Sequence, residues 1–593
     1  MTELFEPTDE HDWRITAGAT GLLAEFNAAG VLTSSDVHVA TRLGALGGES
    51  DERMLLAVAL VVRAVRRGSV CLDLASVAAI APELPWPEEW PIEESPLVHA
   101  GVVRWEHGLL YLDRYHRLES QVHDDLAARM ALPPLPVDEA RLETALAKAG
   151  GGHFSDEQRD AVVAAVHRRT SILTGGPGTG KTTTVARLLA LLADQAAGRA
   201  TGQGSRLAIA LAAPTGKAAT RLQEAVATEL AEMAATWPEA PGLVGRLDGL
   251  TLHRLLGWRH DNATRFRHDR SNRLKYDVVV VDESSMVELT MMGRLLEALR
   301  PDCRLVLVGD PQQLTSVGAG AVLSDLVAGY DGRPDSPVSE LSTNFRSEQD
   351  IKSLAEALRG GDADEVVRVL RTPSTQVSWV ETSEQHEIEA ALRPDSAAAA
   401  RAIWAAASRE DAVGALAELD RYRLLCAHRE GPFGVRRWNH LVERWLAEDP
   451  EVGSQEVLYS GEWYVGRPLL VTNNDYALDV YNGETGVVVR QDRRRRVFVG
   501  GAERLKEFAP GRLDAVETMH AMTIHKSQGS QADRVTVLLP DEASRLLTRE
   551  LFYTAVTRAR RHVRVVGSEA AVRAAVGTLA QRATGLRLRL AGG

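Results

Sequence analysis

Residues 171–183 read SILTGGPGTGKTT. An apolar strand, Ser171 to Thr174, runs into GGPGTGKT, and the run TTVARLLALL that follows has the pattern of a helix. The spacing G-x-x-x-x-G-K-[ST] between a strand and a helix is that of a phosphate-binding loop. In such a loop Gly175, Gly176, Pro177, Gly178, Thr179 and Gly180 let backbone N–H groups converge on phosphate oxygens. The N-terminus of the next helix adds partial positive charge. Lys181 is expected to neutralise β- and γ-phosphates, and Thr182, followed by Thr183, to put a hydroxyl on Mg²⁺.

The same texture continues outward from the loop. Short apolar strands are expected at Leu207 to Ala213, Val278 to Asp282 and Leu305 to Gly309, separated by helical runs. That alternation is the mark of parallel α/β sheet, and VVVVD reads as a strand covered on both faces. Asp282 and Glu283, at the end of that strand, have the chemistry to hold Mg²⁺ through water and to orient an attacking water. The next strand ends in GDPQQL, which brings Gln313 toward a γ-phosphate. Upstream, the run SDEQ combines a helix cap at Ser155 with an amide, Gln158, suited to the N6/N7 edge of adenine and hence to ATP. Arg346 in LSTNFRS and Arg558 in LFYTAVTRARR are candidates to stabilise a transferred phosphoryl group, a role worth roughly 10³ to 10⁵ in rate.

A chain of 593 residues is too long for one hydrophobic core and implies three to four domains. Residues 1–135 carry helical patterns (Asp36 to Ala45, Glu52 to Arg67), a Pro/Trp-rich stretch, a β-like piece and a charged helix from Arg114 to Met130. Residues 136–335 form the first α/β zone, YDGRPDSPVSE (330–340) reads as a hinge, and 336–593 form a second α/β zone. Within the second, about 455–512 alternates around Asn482-Gly483, which predicts a β-hairpin and a small β-barrel insertion.

The composition, 45% apolar and 25% charged, is that of a soluble globular protein. A net charge of −13 argues against indiscriminate coating of nucleic acid, yet leaves room for a strand held in a locally basic channel. Cys71, Cys303 and Cys426 are far apart and form no C-x-x-C pair, which disfavours zinc, iron–sulfur and disulfide frameworks. The first residues are acidic, without a basic region leading into an apolar stretch. The longest apolar run, Met54 to Val62, falls short of the roughly 20 residues a membrane span needs. A cytoplasmic location with no membrane partner is expected.

The ordered set SDEQ, GGPGTGKTTT, APTGKAATRL, TLHRLLG, VVVVDESSM, VGDPQQL, STNFRS, AMTIHKSQGSQ and YTAVTRAR, from about 150 to 565, resembles the RecD-type branch of superfamily 1B helicases. The resemblance implies two RecA-like parallel-sheet domains, the small barrel inserted in the second, and a mainly helical N-terminal domain. It implies an ATP- and Mg²⁺-dependent motor moving 5′ to 3′ along single-stranded DNA. Pro214, Thr215, Lys217 and His253 would then face DNA from the first domain, and Thr523, His525 and Lys526 from the second. The segments RRGSVCLDL and SPLVHAGVVRWEHGLLYLDRYHRLE are similar to the N-terminal docking domain of the branch. They imply RecB-like and RecC-like partners in a heterotrimer that processes DNA ends, with no nuclease site in this chain. A stand-alone helicase of the same branch, or a structural subunit clamped by nucleotide without motor activity, remains open at this level. The basic runs at 254–275 and 493–496 are assigned no role.

Overall fold

The computed structural model describes residues 12–150, 154–199, 206–259, 262–315, 318–343, 345, 349–453, 457, 461–475, 477–500, 505–580 and 582–592. Six strands form one sheet in the spatial order Val338–Leu341, Thr170–Gly175, Arg304–Gly309, Val278–Val281, Ile209–Ala213 and Gly249–Thr251. All neighbours in it are parallel. Their side chains alternate between two cores. Ile172, Val279, Val281, Leu305 and Leu307 face one, and Leu173, Val278, Val280, Val306 and Val308 the other. With both faces covered, no position along the strand is left for a polar residue, which explains the unbroken run of valines. Because the strands are parallel, the loops after Gly175, Val281 and Gly309 all leave from one edge of the sheet.

Val338–Leu341 pairs with the phosphate-loop strand, from Val338 opposite Ile172 to Leu341 opposite Gly175. This corrects the expected hinge at 330–340 and the division at 335/336: the chain completes the first sheet before it crosses over. The strand escapes sequence reading because it is short, lies at the sheet edge and carries two adjacent polar residues, Ser339 and Glu340, which break any period-two pattern.

The second sheet has the order Val377–Val380, Ala559–Val566, Ala532–Leu538, Tyr422–Cys426 and Ala521–Thr523, again parallel throughout. Between its strands Tyr422–Cys426 and Ala521–Thr523 comes the insertion expected as a small barrel, which among the described residues is an open sheet whose end strands do not pair. It is a five-stranded antiparallel sheet ordered Lys506–Phe508, Arg494–Val499, Thr485–Gln491, Pro468–Val471, Val516–Thr518. Leu469, Val488 and Val497 build its own core, while Leu470, Val487 and Val489 turn to the main core of the second lobe. Its tight two-residue turn is Asp492-Arg493, with φ of 47° and 60°, between the paired Gln491 and Arg494. The expected turn residues Asn482 and Gly483 lie instead in the longer connection from Val471 to Thr485. Arg494–Arg496, left without a role by sequence, are the start of a hairpin strand.

The N-terminal region is mainly helical. Gly21–Ala28, Ser34–Gly47 and Glu52–Arg66 pack around Phe26, Leu56 and Leu60, beside a three-stranded antiparallel sheet. Its last helix, Asp113–Met130, reaches the first lobe. Gln121 Nε2 donates to the Gly293 carbonyl at 3.1 Å, and Arg129 to Thr170 Oγ1 at 3.2 Å and the Arg300 carbonyl at 3.1 Å. No helix among the described residues is long and apolar enough to cross a membrane.

The last residues return across this seam. The Val70 N–H donates to the Ala583 carbonyl at 2.8 Å, and Leu586 and Leu590 complete the core under the first sheet. Thr584 Oγ1 lies 2.7 Å from Glu119 Oε1 and 3.0 Å from Asp325 Oδ2, and the Gly585 N–H donates to the same Glu119 oxygen at 3.0 Å. One hydroxyl carries one proton, so when it donates to one carboxyl the other must donate to it. Burial pushes Asp325 up to about 7 and also raises Glu119 against the pull of Arg589, which favours holding that proton on the pair.

For Asp325 the folded value lies above the ordinary one near 3.8. The folded state therefore binds more protons between the two, and this group's contribution to stability declines as pH rises from about 4 to about 7. Asp325→Asn is expected to flatten the fall in thermal midpoint across that window. Equal pH slopes in variant and parent would show that Asp325 titrates as an ordinary acid.

Candidate active site

A cleft of about 590 Å³ opens at the carboxyl edge of the first sheet, with the second lobe as its far wall. It gathers Gln158, Pro177, Gly178, Gly180, Lys181, Thr182, Thr183, Asp282, Glu283, Gln313 and Arg558. Gly175, Gly176 and Thr179 shape the loop behind this surface. Lys181 Nζ donates to the Gly175 and Gly176 carbonyls at 2.6 and 2.9 Å, and Thr179 Oγ1 to the Gly176 carbonyl at 2.9 Å. Gly180 needs to be glycine on two counts. Its φ is +79°, and a Cβ there would stand 2.2 Å from Gln158 Nε2.

Gln158 is buried and braces the loop. Its Nε2 donates to the Thr179 carbonyl at 3.3 Å, and its Oε1 accepts from Arg187 Nη1 and from the Ser155 N–H, each at 3.4 Å. The expected capping box with Ser155 is formed. Thr183 Oγ1 donates to Glu229 Oε1 at 2.5 Å, and Thr182 lines the cleft between them and Lys181.

Asp282 follows a central strand directly. Its Oδ1 accepts the Glu283 N–H at 2.8 Å, and Glu283 has φ +52°, a left-handed conformation costing a non-glycine residue roughly 1–2 kcal/mol. Burial, then the neighbouring Glu283, pushes Asp282 up to about 6, against the pull of Lys181 and Arg221. Two carboxyls and the Thr182 hydroxyl in one cleft form an oxygen donor set of the kind Mg²⁺ takes, alongside its own waters.

From the second lobe, Arg558 follows the helix Arg549–Val556. Its Nη2 donates to Gln313 Oε1 at 2.7 Å and its Nε to the Thr554 carbonyl at 3.1 Å. Gln313 Nε2 in turn donates to Asp310 Oδ2 at 3.1 Å, and the Tyr553 hydroxyl donates to that oxygen at 3.0 Å. Arg346 lies outside the described residues. Its neighbour Phe345 lines the cleft and donates its N–H to the Gly178 carbonyl at 2.9 Å. Sequence reading missed Asp310, Tyr553 and Arg221. The first stood in plain view in GDPQQL, whereas Tyr553 has the look of an apolar helix position.

The expected strand-contacting residues divide. Thr215, Lys217, His525 and Lys526 meet in an inter-lobe cavity of about 130 Å³, joined by Asn482 and Gly483 of the insertion. Lys217 also borders a larger cavity of about 300 Å³, with Arg254, Tyr481 and Lys506. Burial lowers Lys217 to about 8, with Asp420 4.0 Å away. Lys526 Nζ pairs with Glu517 at 2.7 Å. Thr523 is buried, and its hydroxyl oxygen accepts the Lys526 N–H at 3.3 Å, so it shapes the turn and does not line the cavity. Pro214 lines neither cavity. His253 stands apart as well, its ring 5.8 Å from that of Phe266.

Three family signatures match the chain: an AAA domain over residues 158–319, a UvrD-like helicase C-terminal domain over 518–566, and the RecBCD enzyme subunit RecD, N-terminal domain, over 28–121. The RecBCD enzyme subunit RecD of Mycobacterium tuberculosis is 53% identical over 582 residues, covering 96% of this chain and 97% of that one. Its counterpart in Mycolicibacterium smegmatis is 54% identical over 572 residues, with coverage of 95% and 98%. The ATP-dependent RecD2 DNA helicase of Deinococcus radiodurans is 29% identical, covering 81% of this chain and 58% of that one. Among solved structures, a Bacteroides Pif1 bound to ssDNA aligns with 70% of this chain and 92% of that one, at 18% identity and a TM-score of 0.38. Identity above half along nearly the whole length, with the N-terminal signature added, means that this chain belongs to the RecD family of RecBCD enzyme subunits.

Proposed function

We infer that this chain is the ATP-driven, 5′ to 3′ DNA helicase and translocase subunit of a RecBCD-type helicase–nuclease, processing DNA ends for recombinational repair in the cytoplasm. The observation that carries this reading is the bond between Arg558 of the second lobe and Gln313 of the first, inside the cleft that holds Lys181. A nucleotide site walled by both lobes makes their closure a condition for chemistry.

Each residue then has a task. The loop N–H groups and Lys181 hold the phosphates. Thr182 and Asp282 would hold Mg²⁺, which when bound would supply charge to neutralise the phosphates. Glu283 orients the attacking water, and Gln313 and Arg558 meet the charge that develops on the departing phosphoryl group. Arg346 is proposed as a second such arginine. Pro214, Thr215, Lys217, His253, Thr523, His525 and Lys526 are proposed as the path of the strand, with Thr523 acting through the turn that carries Lys526. Contacts of this kind position a backbone without reading its sequence. Residues 1–135 would dock on the RecB- and RecC-like partners. Residues 136–335, with Val338–Leu341 and the returning segment 582–592 packed against them, are proposed as the first motor domain, and the rest of 336–593 as the second.

Lys181→Gln is expected to abolish ATPase activity and translocation while leaving assembly with partner subunits intact. Unchanged turnover would refute the site, and a chain that is only a structural clamp would show no DNA-stimulated turnover at the outset. Arg558→Ala should lower kcat by about 10³ or more, the scale of an arginine finger, with a smaller change in the KM for ATP. Because Lys217 loses its proton near pH 8, affinity for an oligonucleotide should weaken between pH 7 and 9. Lys217→Arg should flatten that profile, and a parallel decline in the arginine variant would show that another group titrates.

A further inference from the structure

Arg221 lies on the helix Gly216–Met233. It borders both the nucleotide cleft and the cavity of about 300 Å³ beside Lys217. Among the described residues Gln531, from the second lobe, is the other one that borders both. The two form the partition between the cavities, and they touch: Arg221 Nη2 stands 3.5 Å from Gln531 Oε1, while Nη1 donates to the Gly529 carbonyl at 2.5 Å.

Both ends of this contact lead to functional surfaces. On the first lobe, Thr215 caps the helix of Arg221 through its bond to the Ala218 N–H at 3.3 Å, and Lys217 is one turn before the arginine. A displacement of either by a strand moves Arg221 with the same rigid helix. On the second lobe, the segment 525–531 faces both ways. His525 and Lys526 line the strand cavity. Gln528 Nε2 donates to the Leu314 carbonyl at 2.6 Å, next to Gln313, and the Ser530 carbonyl accepts from Arg558 Nη1 at 3.4 Å. Gly529 has φ +70°, and a Cβ on it would lie 3.3 Å from Ala218 Cβ. Ala218 and Arg221, one turn apart, therefore seat the helix on this single glycine.

We propose that Arg221 is a positioning residue that couples the strand cavities to the nucleotide cleft, by fixing the 525–531 segment against the first lobe when a strand is engaged. The planar fork suits the task, since it reaches a carbonyl and an amide oxygen at once, which a lysine ammonium does not do with fixed geometry. The inference rests on the motor reading above.

The test uses the full-length chain and oligothymidylate, and reads the ratio of kcat with strand to kcat without it. A partly misfolded preparation scales both rates alike and leaves the ratio unmoved. Arg221→Gln should reduce the ratio by about tenfold, within the range a network residue carries, while the KM for ATP shifts much less. Arg221→Lys should recover only part of the loss. Gln531→Ala, which leaves the Gly529 contact in place, should move the ratio in the same direction by less, and it serves should the arginine variants fail to fold. Parental ratios in Arg221→Gln, or in Gln531→Ala where that variant alone is folded, overturn the inference and leave the motor reading intact. A parent without strand stimulation overturns both.

Discussion

A buried guanidinium holds this molecule to its purpose. Arg558 is 4% exposed and makes no ion pair among the described residues. Instead it spends its donors on the Gln313 amide and on the Thr554 and Ser530 carbonyls. Removing such a charge from water is costly unless its donors are met, and here the partners come from both lobes. The two parallel sheets are thereby kept with their functional edges face to face. Asp310 supports the arrangement from below, accepting from Gln313 and from Tyr553 of the opposite lobe.

The acidic balance of the whole chain and the basic lining of the inter-lobe cavities are compatible because charge is sorted in space. Lys217, Arg221, Arg254, Lys506 and Arg560 converge on one cavity from positions spread over more than half of the sequence, and there they outnumber Glu224, Asp420 and Glu484. Tyr481 sits among them, with Arg254 and Lys506 at 5.8 and 5.7 Å from its ring centroid. A low-dielectric recess of this kind concentrates field far more than the same charges would on an open surface.

Sequence was informative wherever function is local. The phosphate loop, the Asp282-Glu283 pair and the strands beneath them are set by neighbours in the chain, through glycine conformations and two-sided burial, and they stood out at once. Legibility failed where pairing partners are remote. Val338–Leu341 is a strand only because Ile172 to Gly175 lie alongside it. Arg221 resembled any exposed helix arginine, since its acceptors Gly529 and Gln531 come from the other lobe. Thr523 was placed on the strand path by the motif it belongs to, yet its side chain is committed to the turn below. The tight turn at Asp492-Arg493 carries no glycine, so the pattern drew attention to Asn482-Gly483 instead.

The return of residues 582–592 to the seam beneath the first sheet means that order along the chain and membership of a folding unit do not coincide. Leu586 and Leu590 fill a core otherwise built from segments centuries of residues earlier, such as Tyr111, Leu118 and Leu326. The two lobes are therefore not interchangeable modules. A severed first lobe would carry an apolar gap that only a peptide from the opposite terminus completes, much as a split reporter regains its shape when its missing fragment is supplied in trans.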